Sequence, residues 1–204
     1  MLLTAARQPS TDPGWIAELK HDGYRLLAEV HGASVALRTR GGADATRWYP
    51  ELVAALTGLT PTRTVLDGEV CVLDDLGRSD FERLHARSQR RGWYRGADAV
   101  VFIAFDVLVH RGRDVRGLAL DVRLVLLARL LAKPPGGVLL CQHMPGEEAP
   151  RLFAAAVLLK LEGIVLKRLG SIYQGGEPRT GDWVKVKRPG ATPAQRFTRD
   201  VDLG

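Results

Sequence analysis

A half-polar strand that runs straight into a charged turn constrains this chain more than any other feature. Residues 15–20 read Trp-Ile-Ala-Glu-Leu-Lys, and His21-Asp22-Gly23-Tyr24-Arg25 follow at once. The Asp22-Gly23 pair between apolar-patterned runs predicts a turn, with strands over 15–20 and 25–31 on either side of it. Lys20 is thereby fixed at a strand end, beside an acid and near a glycine that lets backbone come close. A lysine held in this way suits covalent chemistry on a phosphate. Lys-x-Asp-Gly-x-Arg is only four fixed residues, a weak signal by itself, so the rest of the chain has to decide.

The chain's 204 residues are enough for one large domain with a sizeable core. A hydrophobic fraction of 46% with 25% charged residues places it among soluble globular proteins rather than disordered or fibrous ones. The net charge of +6 favours a polyanionic partner or substrate. Cys71 and Cys141 lie inside apolar runs, which predicts buried thiols and no disulfide or metal framework. There is no signal-peptide pattern and no apolar run of spanning length, so the expected location is the cytoplasm, with no membrane partner. The positive charge is mostly arginine. Lysine occurs only six times, and Lys20, Lys167, Lys185 and Lys187 all fall in segments singled out here. Lysine, unlike arginine, can give up its proton and act as an amine.

Further along, residues 34–40 alternate and end in Thr39-Arg40-Gly41-Gly42, a strand leaving into a loop. Residues 50–59 suit a short helix with Pro50 at its start. Residues 64–74 read as an apolar strand broken at Asp67-Gly68-Glu69, and Asp80 is placed to cap a helix over Phe81, Leu84 and His85. A nearly continuous apolar strand covers 99–109. A helix over 121–132, a strand over 138–142 and a helix from about 150 to 161 come next, and strands over 163–168 and 183–187 complete the order. Residues 189–204 read as a tail. Acids and glycines open strands (Asp67-Gly68-Glu69, Glu162-Gly163), and basic residues close them (Arg40, Lys167-Arg168, Lys185 and Lys187). Taken singly, these are ordinary turns, caps and exposed faces. Taken in order, they can surround a triphosphate and its magnesium, carboxylates on the metal and cations on the phosphate oxygens.

That order resembles the nucleotidyltransferase domain of ATP-dependent DNA ligases, and within it the ligase domain of bacterial DNA ligase D. The resemblance covers about residues 12 to 188. Lys20-His21-Asp22-Gly23-Tyr24-Arg25 is similar to motif I, and Thr39-Arg40-Gly41-Gly42 to the Ser-Arg-Asn-Gly element, with threonine and glycine as departures. Leu66-Asp67-Gly68-Glu69 is similar to motif III, residues 102–108 to motif IIIa and residues 162–168 to motif IV. Ser171, Tyr173 and the stretch from Arg179 to Lys187 are similar to the segment ending in motif V.

The resemblance implies an α+β, ATP-grasp-like fold, with antiparallel sheets flanked by helices and the nucleotide in the cleft between them. It implies ATP and magnesium (or manganese) as cofactors and nicked double-stranded DNA as substrate. Lys20 would attack the α-phosphate and form a Lys–AMP adduct, from which AMP passes to a DNA 5′-phosphate before the 3′-hydroxyl joins it, in DNA repair. Glu18 would sit at the adenine edge, Phe105 would stack on the base, and Arg25 and Arg40 would meet sugar and phosphates. Glu69 would meet the ribose or a metal-bound water, with Glu162 as the metal carboxylate. Lys167 would lie near base or phosphate, and Lys185 and Lys187 against the α-phosphate oxygens. Asp22 carries less weight and reads as structural.

The run from Arg87 to Arg95 packs four arginines and two aromatics without an acid, a pattern suited to DNA contact through Arg87, Arg90, Arg91 and Arg95. Relatives continue after motif V into an oligonucleotide-binding barrel bearing Arg-x-Asp-Lys. Here sixteen residues follow Arg188, so residues 1–188 are expected to form the nucleotidyltransferase domain, with no barrel; either the chain is a stand-alone minimal enzyme, or a separate protein supplies the barrel or clamping function, or the sequence is a truncated one. The alternatives are an RNA ligase, a GTP-using capping enzyme of the same superfamily, and a non-catalytic DNA-end-binding module.

Overall fold

The computed structural model describes residues 1–176 and 180–191. Arg179 and the part of the expected tail after residue 191 lie outside the described residues. In chain order the elements are β1 (Thr4–Ala6), β2 (Trp15–Leu19), β3 (Tyr24–His31), β4 (Ser34–Thr39), α1 (Pro50–Leu56), β5 (Thr64–Cys71), α2 (Phe81–Gln89), β6 (Val101–His110), β7 (Arg113–Asp114), α3 (Leu120–Leu130), β8 (Val138–Leu140), β9 (His143–Pro145), α4 (Ala149–Leu158), β10 (Gly163–Arg168) and β11 (Trp183–Lys187). A single 3₁₀ turn, Gly146–Glu148, leads into α4.

The strands form two sheets. One has the order β1-β11-β10-β2-β9; the other runs β4-β3-β5-β6-β7, with β8 added in parallel to β6. Most neighbours are antiparallel, and the helices lie outside, giving the α+β architecture expected from the strand-rich sequence. Alternation decides which face is buried. In β3, Leu26, Ala28 and Val30 point into the main core, where they meet Leu52 and Leu56 of α1, Leu84 of α2 and Leu127 of α3. A smaller core joins Ala149 and Ala156 of α4 to Ala17, Ile164 and Val186 of the first sheet. Asp80 caps α2, its side chain accepting from the Arg83 backbone N–H at 3.0 Å. Cys71 and Cys141 are both free and buried. No helix among the described residues is long and apolar enough to cross a membrane.

Two findings change the sequence reading. The turn after Lys20 does not join neighbours of one sheet: β2 belongs to the first and β3 to the second. Nor does Asp67-Gly68-Glu69 break a strand. It runs through the middle of β5, whose pairing with β6 shifts register beside it. Gly68 is required by packing, since a Cβ there would lie 2.7 Å from the Ile103 carbonyl oxygen, with the Phe102 ring also against it. Asp67 is tolerated in the interior because Arg25 and Tyr173 satisfy it.

A second buried pair ties the halves together. Arg123 of α3 donates to both Asp106 oxygens of β6, at 2.8 and 2.9 Å, and both side chains are fully buried. The same guanidinium donates to the Ser171 carbonyl oxygen at 3.0 Å, fastening the chain after β10 to α3.

Candidate functional site

A cavity of about 1070 Å³ opens between the two sheets. Because Lys20 ends a strand of one sheet and its turn enters the other, the lysine stands at this junction. Its backbone N–H donates to the Gly163 carbonyl oxygen at 2.9 Å. Its Nζ lies 2.7 Å from Glu162 Oε2, and the other carboxylate oxygen of Glu162 lies 2.7 Å from Lys187 Nζ. One buried carboxylate thus bridges two lysines. Burial favours the protonated acid, but Lys20 and then Lys187 hold the Glu162 carboxyl below its ordinary range.

β11 carries Trp183, Lys185 and Lys187 at two-residue spacing, so all three share a face, and all three line the cavity. Its wall beside them contains Phe105, Val165, Glu18 and Lys167. Lys167 Nζ lies 2.7 Å from Glu18 Oε2, with both side chains nearly fully buried. Burial raises the Glu18 carboxyl above its usual range, and Lys167 opposes the rise. The Lys167 ammonium also lies 4.4 Å from the Phe105 ring centre and 4.2 Å from that of Trp183.

Arg25 occupies a cage. Its guanidinium binds both oxygens of Asp67, at 2.9 and 2.6 Å, and the Met1 carbonyl oxygen at 2.7 Å, and it lies 5.3 Å from the Phe105 ring centre. Burial opposes its charge, but Asp67 holds it strongly protonated. The Tyr173 hydroxyl donates to Asp67 at 2.7 Å. Arg25 therefore gives the cavity a fixed positive wall rather than a freely moving phosphate ligand. Arg40 is exposed at the rim, its backbone N–H bonded to the Arg25 carbonyl oxygen at 3.2 Å. Glu69 sits opposite Arg25 in the β3–β5 register.

All ten residues expected at a nucleotide or metal site (Glu18, Lys20, Arg25, Arg40, Glu69, Phe105, Glu162, Lys167, Lys185 and Lys187) line this one cavity. Sequence reasoning named Trp183, Asp67 and Tyr173 within motifs but gave none of them a site role of its own. The alternation of Trp183 with Lys185 and Lys187 was a usable signal for the first. Asp67 and Tyr173 act through Arg25, a contact across 42 and 148 residues of chain that no local pattern carries.

Arg87 has to be withdrawn from the expected DNA-facing set. It is fully buried, its guanidinium paired with Glu51 at 2.9 Å and bonded to the carbonyl oxygens of Trp48 and Gly92. It follows Leu84 by about one turn and directly precedes Ser88 on the packed face of α2, so it organises the loop instead of presenting charge. Arg90, Arg91 and Arg95 are exposed; Arg90 lies over the Tyr94 ring at 4.1 Å, and Arg91 reaches the cavity rim.

No group of three or more His, Cys, Asp or Glu side chains that could hold a metal occurs among the described residues. Glu69 and Glu162 nonetheless line the same cavity. Two carboxylates fit a magnesium ion that draws its remaining ligands from phosphate and water.

Comparison with known proteins agrees with this arrangement. The ATP dependent DNA ligase domain family matches residues 5–187. The multifunctional non-homologous end joining protein LigD of Pseudomonas aeruginosa is 40% identical over 174 residues, covering 85% of this chain and 20% of that protein. The SPbeta prophage-derived DNA ligase-like protein LigB of Bacillus subtilis is 33% identical over 186 residues, covering 91% of this chain and 66% of that protein. A solved mycobacterial DNA ligase D complexed with ATP and MES superposes with a TM-score of 0.76 at 35% identity, covering 91% of this chain and 59% of that one. The chain spans about a fifth of the length of the Pseudomonas and Mycobacterium LigD relatives. On its sequence, its two-sheet fold and the extent of the match, this chain belongs to the ATP-dependent DNA ligase domain family.

Proposed function

We propose that this chain adenylates itself on Lys20 and passes the AMP to the 5′-phosphate at a DNA nick, whose 3′-hydroxyl then completes the joint in DNA repair. The observation that carries the reading is the Lys20–Glu162–Lys187 bridge inside a cavity of nucleotide size, with Phe105 on its wall. The Lys20 nitrogen forms a bond to the α-phosphorus of ATP, the bond from that phosphorus to the bridging oxygen breaks, and pyrophosphate leaves with the electron pair. The amine must shed a proton to attack; Glu162 Oε2, 2.7 Å away but held below its ordinary range by the two lysines, orients the nitrogen, and the proton passes to water. Lys185 and Lys187 neutralise the oxygens on which charge builds. The Phe105 ring supplies the face on which adenine stacks, with Glu18 and Lys167 at the base's edge. A magnesium ion, held by Glu162 and Glu69 with phosphate and water, would supply further positive charge to the phosphates.

In the second step the 5′-phosphate oxygen attacks the same phosphorus and Lys20 leaves. The duplex is expected against Arg90, Arg91 and Arg95 at the rim, with Arg40 between base site and phosphate. A partner that clamps DNA would strengthen this grip.

The test is one gel: protein, magnesium, ATP labelled at the α-phosphate and a singly nicked duplex, followed over time. Label on the protein that moves to the DNA 5′ end, with sealed strand appearing, is the expected result. A chain that takes no label, and whose untreated mass shows no bound AMP, overturns the reading. Phe105→Ala should raise the KM for ATP by roughly fivefold to a hundredfold, since stacking a base on an aromatic ring contributes about 1–3 kcal/mol. An unchanged KM in steady-state adenylation would remove Phe105 from the base site.

A further inference from the structure

The loop that leaves α2 is fastened at several points and yet displays one large ring. From Ser88 to Ala97 it contains no acid, and it borders the nucleotide-sized cavity through Ser88 and Arg91. Arg90 ends the helix, and Arg91 follows with φ of +49°, the left-handed helix end at which glycine is the unstrained choice. The Arg91 guanidinium lies 5.5 Å from the Trp48 ring centre.

Arg87 holds the next part. Its buried guanidinium donates to the Gly92 carbonyl oxygen and lies 5.6 Å from the Tyr94 ring centre. Arg90 lies 4.1 Å from the same ring centre, so two cations fix Tyr94. The Ala97 N–H donates to the Tyr94 carbonyl oxygen at 2.9 Å and closes a turn. Gly92 and Tyr94 are therefore both held, and Trp93 stands between them.

Trp93 is 66% exposed. It is the one exposed aromatic ring among the described residues; Trp15 and Trp48 are half-buried and Trp183 is buried. A single exposed apolar side chain is ordinary on a protein surface. What sets Trp93 apart is its frame. Of the two aromatics in this loop, one is folded onto arginines and the other is left in solvent beside Arg91 and Arg95, which are also exposed. Asp98, the next acid along the chain, is already paired with Arg83.

An indole offers no charge to a phosphate, but its flat face matches the face of a base. Within a duplex, and across a nick, each base is covered above and below by its neighbours. A base face is free where one strand extends beyond its partner. Arginines beside the ring supply the phosphate contacts that such a strand needs.

We infer that Trp93 is a stacking platform for an unpaired base in a single-stranded extension at a DNA break, with Arg91 and Arg95 against the flanking phosphates. The inference rests on the DNA reading above and narrows its substrate: an end with an unpaired extension is held at a point that a plain nick does not use.

The full chain, without ATP, is titrated with three dye-labelled DNAs and followed by anisotropy. One is a duplex with a short single-stranded extension, one is the same duplex with blunt ends, and one is a nicked duplex closed by hairpins at both ends. The extension carries a fluorescent adenine analogue whose emission falls when it stacks. Trp93→Ala should weaken binding of the extended duplex by roughly fivefold to a hundredfold, the range for losing one base–aromatic stack. It should also abolish the fall in emission. Binding of the blunt and the closed nicked duplexes stays unchanged, and Trp93→Phe recovers most of both signals. The ring is exposed, so both variants should melt with the wild type. Equal weakening on all three DNAs overturns the platform, leaving Trp93 as a general contact to the duplex. Equal weakening on the extended and blunt duplexes alone also overturns it, because the ring would then cover a terminal base pair. Unaltered binding of the extended duplex overturns it outright. The assay needs no adenylation. A wild-type chain that never takes AMP label but loses the extended duplex on Trp93→Ala keeps the platform and fails the adenylation reading; a labelled wild type with an indifferent Trp93→Ala does the reverse.

Discussion

Lys20→Ala and Lys20→Arg should both lose transfer of AMP label to protein by at least about a thousandfold, the order of effect seen when a covalent nucleophile is removed. The pair is more telling than either change alone. Alanine removes amine and charge together. Arginine keeps the charge and the partnership with Glu162 but cannot be deprotonated, so it cannot attack phosphorus. Neither change should unfold the chain, because Glu162 retains Lys187 at 2.7 Å and is not left as an unpaired buried charge. Labelling at near wild-type rate in Lys20→Arg would show that this position supplies charge only and that another group attacks. Labelling lost together with a cooperative melting transition would show only a folding defect, so thermal unfolding is recorded beside the gel.

The largest stability effect is expected far from the chemistry. Arg123→Met removes the partner of Asp106 where both side chains are fully buried. Breaking a buried pair from one side costs about 3–5 kcal/mol, which at this chain length lowers the thermal midpoint by roughly 6–20 °C. Replacing both members, Arg123→Met with Asp106→Leu, should recover much of the loss. The recovery stays incomplete because Arg123 also serves the Leu118 and Ser171 carbonyl oxygens. The deficit of the single variant should shrink on acidification. Burial already raises the Asp106 carboxyl above its ordinary value, with Arg123 resisting, so without Arg123 the folded state takes up the proton before the unfolded chain does. Uptake by the folded state favours folding as the pH falls. Melting curves at neutral and mildly acid pH check the sign: a deficit that widens on acidification would contradict it.

These cases show what the sequence carried and what it did not. The long strands were legible because alternation and apolar runs are local, as in Leu26, Ala28 and Val30 of β3 or in residues 101–110. The grouping of the candidate residues in one cavity was partly legible because Lys20, Arg40, Glu162 and Lys187 stand at strand ends in a fixed order. β1, β7 and β9, of two or three residues each, are too short to hold a period. The buried charges were illegible for another reason. Arg87 looks like its exposed neighbours Arg90 and Arg91 in the sequence, and Glu51, 36 residues away, together with the Trp48 and Gly92 carbonyl oxygens, makes its burial tolerable. Asp67 reads as a turn former until Arg25 is placed against it. Pairing over such distances is a property of the folded chain, and no window of residues contains it.

The crossing of the chain from β2 to β3 has a mechanical consequence. Lys20, Glu162, Lys185 and Lys187 all belong to the first sheet or to its immediate borders, whereas Phe105, Glu69 and Arg25 are carried by the second. The amine expected to attack and the groups expected to manage the phosphate therefore stand on one sheet, and the ring expected to hold the base stands on the other. Aligning nucleophile with phosphorus then depends on how the sheets sit against each other, and the chain crosses between them at residues 20–23 and again at 141–142. A substitution that alters how they sit would change the rate of the first chemical step without touching any residue that meets the nucleotide.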